Sequence, residues 1–176
     1  WDRNASILDV GAGFGRWGVL CRTHMAGGVS LAVQPAQKLV IHAVEAFQQN
    51  VSPLYGCVYD RTFVGNAREI LPSLDSYDIV ICSHMIEHLS RDQGLDFIKL
   101  LVGKAKEAVV ISVPLGKWEQ DEIDGNPFEK HLSTWEESDF IGKHIYLKTF
   151  GKGVKRHGTA LFAVSTAAVW QVGMLR

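Results

Sequence analysis

Apolar positions recur along the chain in two rhythms. Short, β-rich runs, Ile7-Leu8-Asp9-Val10, Leu39-Val40-Ile41-His42-Ala43-Val44, Thr62-Phe63-Val64, Ile79-Val80-Ile81-Cys82 and Ala108-Val109-Val110-Ile111-Ser112-Val113, are nearly continuous in hydrophobic character. Strands covered on both faces read this way. Between them the apolar residues fall at helical spacing: Trp17, Val19, Leu20 and Met25 from Arg16 to Met25, stopped by Gly27-Gly28, and Leu95, Phe97, Ile98, Leu100, Leu101 and Val102 between Asp92 and Lys106. Phe47 to Tyr59 reads as a weak helix broken near Pro53, and Val29 to Lys38 as a loop insertion. Pro114 is expected to end the fifth strand, and Ser133 or Thr134 to cap a short helix through Phe140. Two last runs, Ile145-Tyr146-Leu147-Lys148 and Leu161-Phe162-Ala163-Val164, predict an antiparallel hairpin with Lys148, Lys152, Lys155, Arg156 and His157 at its solvated tip. The expectation is one α/β domain over residues 1–176: a doubly wound, mostly parallel, seven-stranded sheet with a C-terminal antiparallel hairpin.

Where the first run ends, the chain turns from strand to helix through Gly11-Ala12-Gly13-Phe14-Gly15-Arg16-Trp17-Gly18. Glycines there open backbone amides to a ligand and accept positive φ. Two registers fit. Gly13, Gly15 and Gly18 satisfy the dinucleotide pattern G-x-G-x-x-G and would make the chain an NAD(P)-dependent oxidoreductase. Asp9 followed by Gly11, Gly13 and Gly15 instead places a carboxylate two residues before three alternating glycines. A carboxylate repels a pyrophosphate but suits the sulfonium and ammonium groups of S-adenosylmethionine, so this register is preferred. Glu45, ending the second run, stands where adenosine-binding folds of this type use an acid to accept from both ribose hydroxyls; a solvated strand-end acid is the alternative.

The stretch Asp9 to Gly15 resembles the glycine-rich motif of class I S-adenosylmethionine-dependent methyltransferases. Tyr77-Asp78-Ile79-Val80-Ile81-Cys82 followed by Ile86-Glu87-His88-Leu89 is similar to the fourth-strand motif of many small-molecule members. The resemblance implies a Rossmann-like methyltransferase fold, in which a closing hairpin is characteristic. It also implies a cofactor site built from Asp9, Gly11, Ala12, Gly13, Gly15, Glu45, Ala46, Asn66, Ala67, His84 and Met85. Asn66 stands where relatives often carry an acid for the adenine amino group, with the Ala67 amide donating to the ring; a turn asparagine is the other reading. His84 also replaces a common acid and would touch cofactor or substrate, or cap the next helix. Gly125 to Trp135 looks like a motif of methyltransferases associated with surface-glycan biosynthesis. Only six residues precede the first strand, so the helices that usually cover the cofactor are expected to be missing from this chain.

Charge and cysteines narrow the partners. Eighteen basic and nineteen acidic residues give a net charge of -1, which offers no footprint for nucleic acid or an anionic membrane. Cys21, Cys57 and Cys82 are too scattered for a disulfide framework or a C-x-x-C metal site, so no metal is expected and a reducing cytoplasm fits. No apolar run is long enough to span a membrane, and no signal pattern opens the chain. The expected function is methyl transfer from S-adenosylmethionine to a small-molecule or glycan-type acceptor. His88 and His131 are the candidate catalytic bases, with His84 a further candidate. The long, aromatic-containing segment 116–131 is the expected substrate loop. A non-catalytic cofactor-binding module on the same fold is the remaining alternative.

Overall fold

The computed structural model describes residues 4–25, 39–140, 146–152 and 155–163; the expected loop at Val29 to Lys38 lies outside them. Five strands run parallel: β1 (Ala5–Val10), β2 (Leu39–Glu45), β3 (Arg61–Val64), β4 (Tyr77–Ser83) and β5 (Ala105–Leu115). Their order is β3-β2-β1-β4-β5, so the α/β architecture with a parallel sheet agrees with the periodicity. Beside β5, β7 (Lys155–Ala163) runs antiparallel, and β6 (Tyr146–Lys152) pairs antiparallel with β7. The chain winds outward from β1 to β3 and then returns to β4 on the other side of β1. A crevice at the carboxyl ends of β1 and β4 follows from that reversal.

Helices α1 (Arg16–Met25) and α2 (Tyr55–Val58) cover one face, and α3 (Ala67–Ile70) and α4 (Arg91–Lys104) the other. The pleat of β1 sorts its side chains between them. Leu8 and Val10 share a core with Phe97 and Leu101 of α4, whereas Ile7 shares one with Cys21 of α1 and Tyr55 of α2. A capping box between Ser90 and Gln93 starts α4 by satisfying amides its first turn leaves open.

The weak helix from Phe47, expected to break near Pro53, is a 3-10 turn, Gln48–Asn50, and then α2 after the break. Three local expectations are corrected. Pro114 does not end β5; it stays in register opposite His157. Pairing of β4 with β5 has already stopped at Ser112, and an edge without a ladder partner is where a sheet tolerates proline. Neither Ser133 nor Thr134 caps a helix among the described residues. Trp135 instead makes backbone bridges to Leu115 and Gly116, which hold the segment extended, and only a 3-10 turn, Glu137–Asp139, follows. Of the basic residues expected at a hairpin tip, Lys152 and Lys155 form the last pair of β6 and β7, while Lys148, Arg156 and His157 lie further along the paired strands.

Trp135 anchors this extended strap. Its fully buried ring stacks on Phe140, lies 4.0 Å beneath the Arg91 guanidinium and faces Gly94 of α4, where an added Cβ would sit 2.6 Å from the ring. The strap is thereby fixed over the crevice.

Gly18 shows a similar close approach on the other face. A Gly→Ala change inside a helix ordinarily adds up to about 1 kcal/mol. Here the new Cβ would lie 2.5 Å from the Tyr59 ring and 2.6 Å from Val58 Cγ1, and the ring is tethered through its hydroxyl to Asp9. Overpacking of this kind costs about 1–3 kcal/mol. Gly18→Ala is therefore expected to lose about 1–2 kcal/mol in urea denaturation; a gain in stability would show that the ring yields and that helix propensity wins.

Candidate active site

A cleft of about 760 Å³ opens at the carboxyl edge of the sheet. Its floor is the turn after β1, where Gly11, Gly13 and Gly15 have φ of +71°, +56° and +85°, values that favour glycine. The end of β2 shapes this turn: the Val44 carbonyl accepts from the Gly11 and Ala12 amides at 2.9 and 3.2 Å. Glu45, 6% exposed, accepts from the Gly13 amide at 2.7 Å, the Phe47 amide at 2.8 Å and Asn50 Nδ2 at 3.2 Å. Tyr55 donates its hydroxyl to the Gly13 carbonyl at 2.6 Å. A Cβ on Gly11 would meet Met85 Cγ at 2.9 Å, while one on Gly13 would meet nothing within 4 Å. Gly13 thus turns an open backbone face to the cleft.

Of the residues named from the sequence, Gly11, Ala12, Gly13, Glu45, Ala46, Asn66, Ala67, His84, Met85, His88 and His131 all line the cleft. Asp9 and Gly15 do not. The pleat explains Asp9: it shares the face of Ile7, so its carboxyl points behind the turn toward α1 and α2. It is 1% exposed and accepts from the Tyr59 hydroxyl at 2.6 Å through Oδ2, while Oδ1 has no hydrogen-bond partner among the described residues. Burial, opposed by the Tyr59 hydroxyl and the nearby Gly18 amide, pushes its carboxyl up to about 6. Asp9 thus lies behind the turn, bonded to Tyr59 and outside the lining of the cleft.

The other departures from the family pattern also have local roles. Asn66 caps α3, its Oδ1 accepting from the Arg68 amide at 3.0 Å and its Nδ2 donating to Glu69 at 3.1 Å. The oxygen keeps a second lone pair for a ligand. His84 has φ +53°, a conformation uncommon outside glycine and worth notice beside a cleft. Its amide donates to the Ser112 carbonyl at 2.8 Å, and its Nδ1 lies 3.3 Å from Glu87 Oε1.

Opposite the turn, sequence-distant residues meet. The Glu87 carbonyl accepts from the Leu132 and Ser133 amides at 2.8 and 3.1 Å, which brings His131 against His88 with ring centroids 4.9 Å apart. His131 Nδ1 lies 2.7 Å from the Trp118 carbonyl and His88 Nδ1 3.2 Å from the Lys130 carbonyl. A carbonyl can only accept, so each Nδ1 carries a proton, and in the neutral ring each Nε2 keeps its lone pair. The Glu87 carboxylate, 1% exposed, lies beside both rings. Glu87 was not singled out from the sequence as a site residue; a buried acid in Ile86-Glu87-His88-Leu89 was the available signal. Phe14, Phe128 and Leu132, all exposed, form an apolar rim that periodicity alone could not assign to the cleft.

The burial of Asp9 has a measurable consequence. A carboxyl raised from its ordinary 3.8 to about 6 binds its proton more tightly in the folded state, so folding is penalised as pH rises through that window. Relative to Asp9→Asn, the wild-type chain is expected to lose on the order of 2 kcal/mol between pH 4 and 6. Denaturant titrations of both proteins at several pH values test this. A difference that stays constant with pH would mean that Asp9 titrates normally.

No family model matches the sequence, and no curated protein sequence is significantly similar to it. Similar solved structures include a SAM dependent methyltransferase from Archaeoglobus fulgidus, 16% identical with TM-score 0.64, over 91% of this chain and 86% of that one. The magnesium protoporphyrin IX methyltransferase ChlM from Synechocystis PCC 6803, solved with bound SAM, is 13% identical with TM-score 0.60, over 93% of this chain and 71% of that one. An O-methyltransferase family protein from Burkholderia thailandensis is 12% identical with TM-score 0.55, over 89% of this chain and 50% of that one. At such identities the likeness is one of architecture: this chain has the class I S-adenosylmethionine-dependent methyltransferase fold.

Proposed function

We propose that the chain is an S-adenosylmethionine-dependent methyltransferase acting on a small-molecule or sugar-bearing acceptor, with residues 1–176 as one cofactor-binding domain. The observation that carries this reading is the buried Glu45 carboxylate, one hydrogen bond from the positive-φ Gly13 at the point where the strand order reverses. Support comes from the shared fold and from the sheet's ending in β7 and β6, a closing antiparallel pair of the kind the sequence resemblance implies. Among the described residues no helix is long and apolar enough to cross a membrane. Three free cysteines agree with a reducing, cytoplasmic setting.

The residues present fit the cofactor. A carboxylate has about four acceptor positions, and three on Glu45 are filled by protein donors. The ribose would use the fourth and share or displace the Gly13 amide. Asn66 Oδ1 and the Ala67 amide flank the place for adenine, and the open face of Gly13 lets the ligand lie against the backbone. When bound, S-adenosylmethionine supplies an electrophilic methyl on sulfur, transferred by in-line displacement. The chain's task is orientation, which contributes several kcal/mol without any covalent residue. The acceptor would lie on the far side of the cleft, where Trp118, Phe128 and Leu132 offer apolar surface and exclude water. There His88 and His131, each with a basic Nε2, would take the proton of a hydroxyl acceptor.

Calorimetric titration with S-adenosylmethionine, S-adenosylhomocysteine and NAD in parallel tests the assignment. Both sulfur nucleotides are expected to bind and NAD is not. Glu45→Ala should weaken S-adenosylhomocysteine about 10- to 100-fold, the value of a charged hydrogen bond. Binding of NAD alone would make Gly13, Gly15 and Gly18 the operative register and the chain an oxidoreductase. Unchanged affinity in a folded Glu45→Ala protein would remove the ribose role.

A further inference from the structure

Glu87 poses a problem that methyl transfer does not resolve. Its carboxylate is 1% exposed, and neither Oε1 nor Oε2 has a hydrogen-bond partner among the described residues. Burying an ionised carboxylate without donors is costly, and native structures rarely leave one so. His84 also approaches it, its Nδ1 3.3 Å from Oε1 on a side chain 48% exposed. That contact reaches one oxygen from the solvent side and leaves Oε2 alone.

Two further donors converge on the same point. One nitrogen from each of His88 and His131 and one oxygen of Glu87 lie within 4.8 Å of one another. Ligands about 2.1 Å from a tetrahedral ion are about 3.4 Å apart, so modest side-chain rotation closes the set. Both rings are also prepared for coordination. Each Nδ1 is held by a backbone carbonyl, that of Lys130 for His88 and that of Trp118 for His131, which fixes the tautomer and leaves Nε2 for an ion. A carbonyl behind each imidazole and a buried carboxylate beside them that accepts no hydrogen bond make a ligand set rather than a chance cluster.

We propose that Glu87, His88 and His131 bind one divalent transition-metal ion on the acceptor side of the cleft. Two imidazoles and one carboxylate suit zinc, iron or cobalt better than magnesium or calcium, which favour oxygen ligands throughout. Three protein ligands leave a position open to the cleft that these residues line. On the methyltransferase reading, that position takes a hydroxyl oxygen of the acceptor and eases loss of its proton to water, so with the ion bound water replaces the two histidines in the role of base that their bare Nε2 atoms would otherwise fill. Metal binding itself does not depend on that reading.

The test uses the untagged chain after chelator treatment, titrated with Zn²⁺ by calorimetry and with Co²⁺ by visible absorption. One ion per chain is expected, with cobalt d–d bands and no thiolate charge-transfer band. Glu87→Gln and His131→Asn should each weaken Zn²⁺ by more than about 100-fold, beyond the loss seen for outer-shell partners, while His84→Ala does far less. Glu87→Gln replaces a buried carboxyl that accepts no hydrogen bond, so without metal it should melt at or above the wild-type temperature. Zn²⁺ should raise the melting temperature of the wild-type chain and not of this variant. Absence of saturable binding, a thiolate band, or undiminished affinity in both folded variants would overturn the proposal. Failure of nucleotide titrations with Zn²⁺ binding intact would strike the methyltransferase reading and leave the metal site standing.

Discussion

Three protein donors converge on the Glu45 carboxylate at the carboxyl end of β2: the Gly13 and Phe47 amides and the Asn50 side chain. Hydrogen bonds to a charged group are worth about 1.5–3 kcal/mol each. The bond to Gly13 also does geometric work, because Tyr55 holds the carbonyl of the same residue from the other side. With its amide and carbonyl both fixed, Gly13 keeps a left-handed backbone and its open face toward the cleft. The floor of the site is therefore set by the end of the neighbouring strand as much as by the glycines. An acid that sequence reasoning assigned to a ligand also serves the fold.

The wall opposite depends on the strap that follows β5. Trp135, clamped between Arg91, Phe140 and Gly94, fixes one end of it, and the Glu87 carbonyl takes two of its amides just after His131. These contacts determine that His131 meets His88, although forty-three residues separate them. They also seal the Glu87 side chain from water. Packing here buries a carboxylate whose two oxygens accept no hydrogen bond among the described residues.

The sheet was legible because parallel strands buried on both faces leave continuous apolar runs, and the glycine turn because positive φ restricts composition. Most of the residues named around the glycine turn that line the cleft follow from those two facts. Asp9 was misread in direction, not in place: a motif fixes position, whereas the pleat decides which face a side chain takes, and Ile7 on the same face held that information. Pro114 and the segment after Ser133 were misread because local rules for breaking strands and capping helices gave way to tertiary pairing with β7 and with Leu115 and Gly116. The cluster of Glu87, His88 and His131 was beyond reach of spacing rules, since its members come together only through the strap.

A crystal structure of the chain with S-adenosylhomocysteine addresses the central claim most directly. The account predicts the ribose hydroxyls on Glu45, adenine beside Asn66 and Ala67, and the sulfur facing the Glu87, His88 and His131 cluster across the cleft. A nucleotide bound elsewhere, or in the cleft with its sulfur turned away from that cluster, would contradict it.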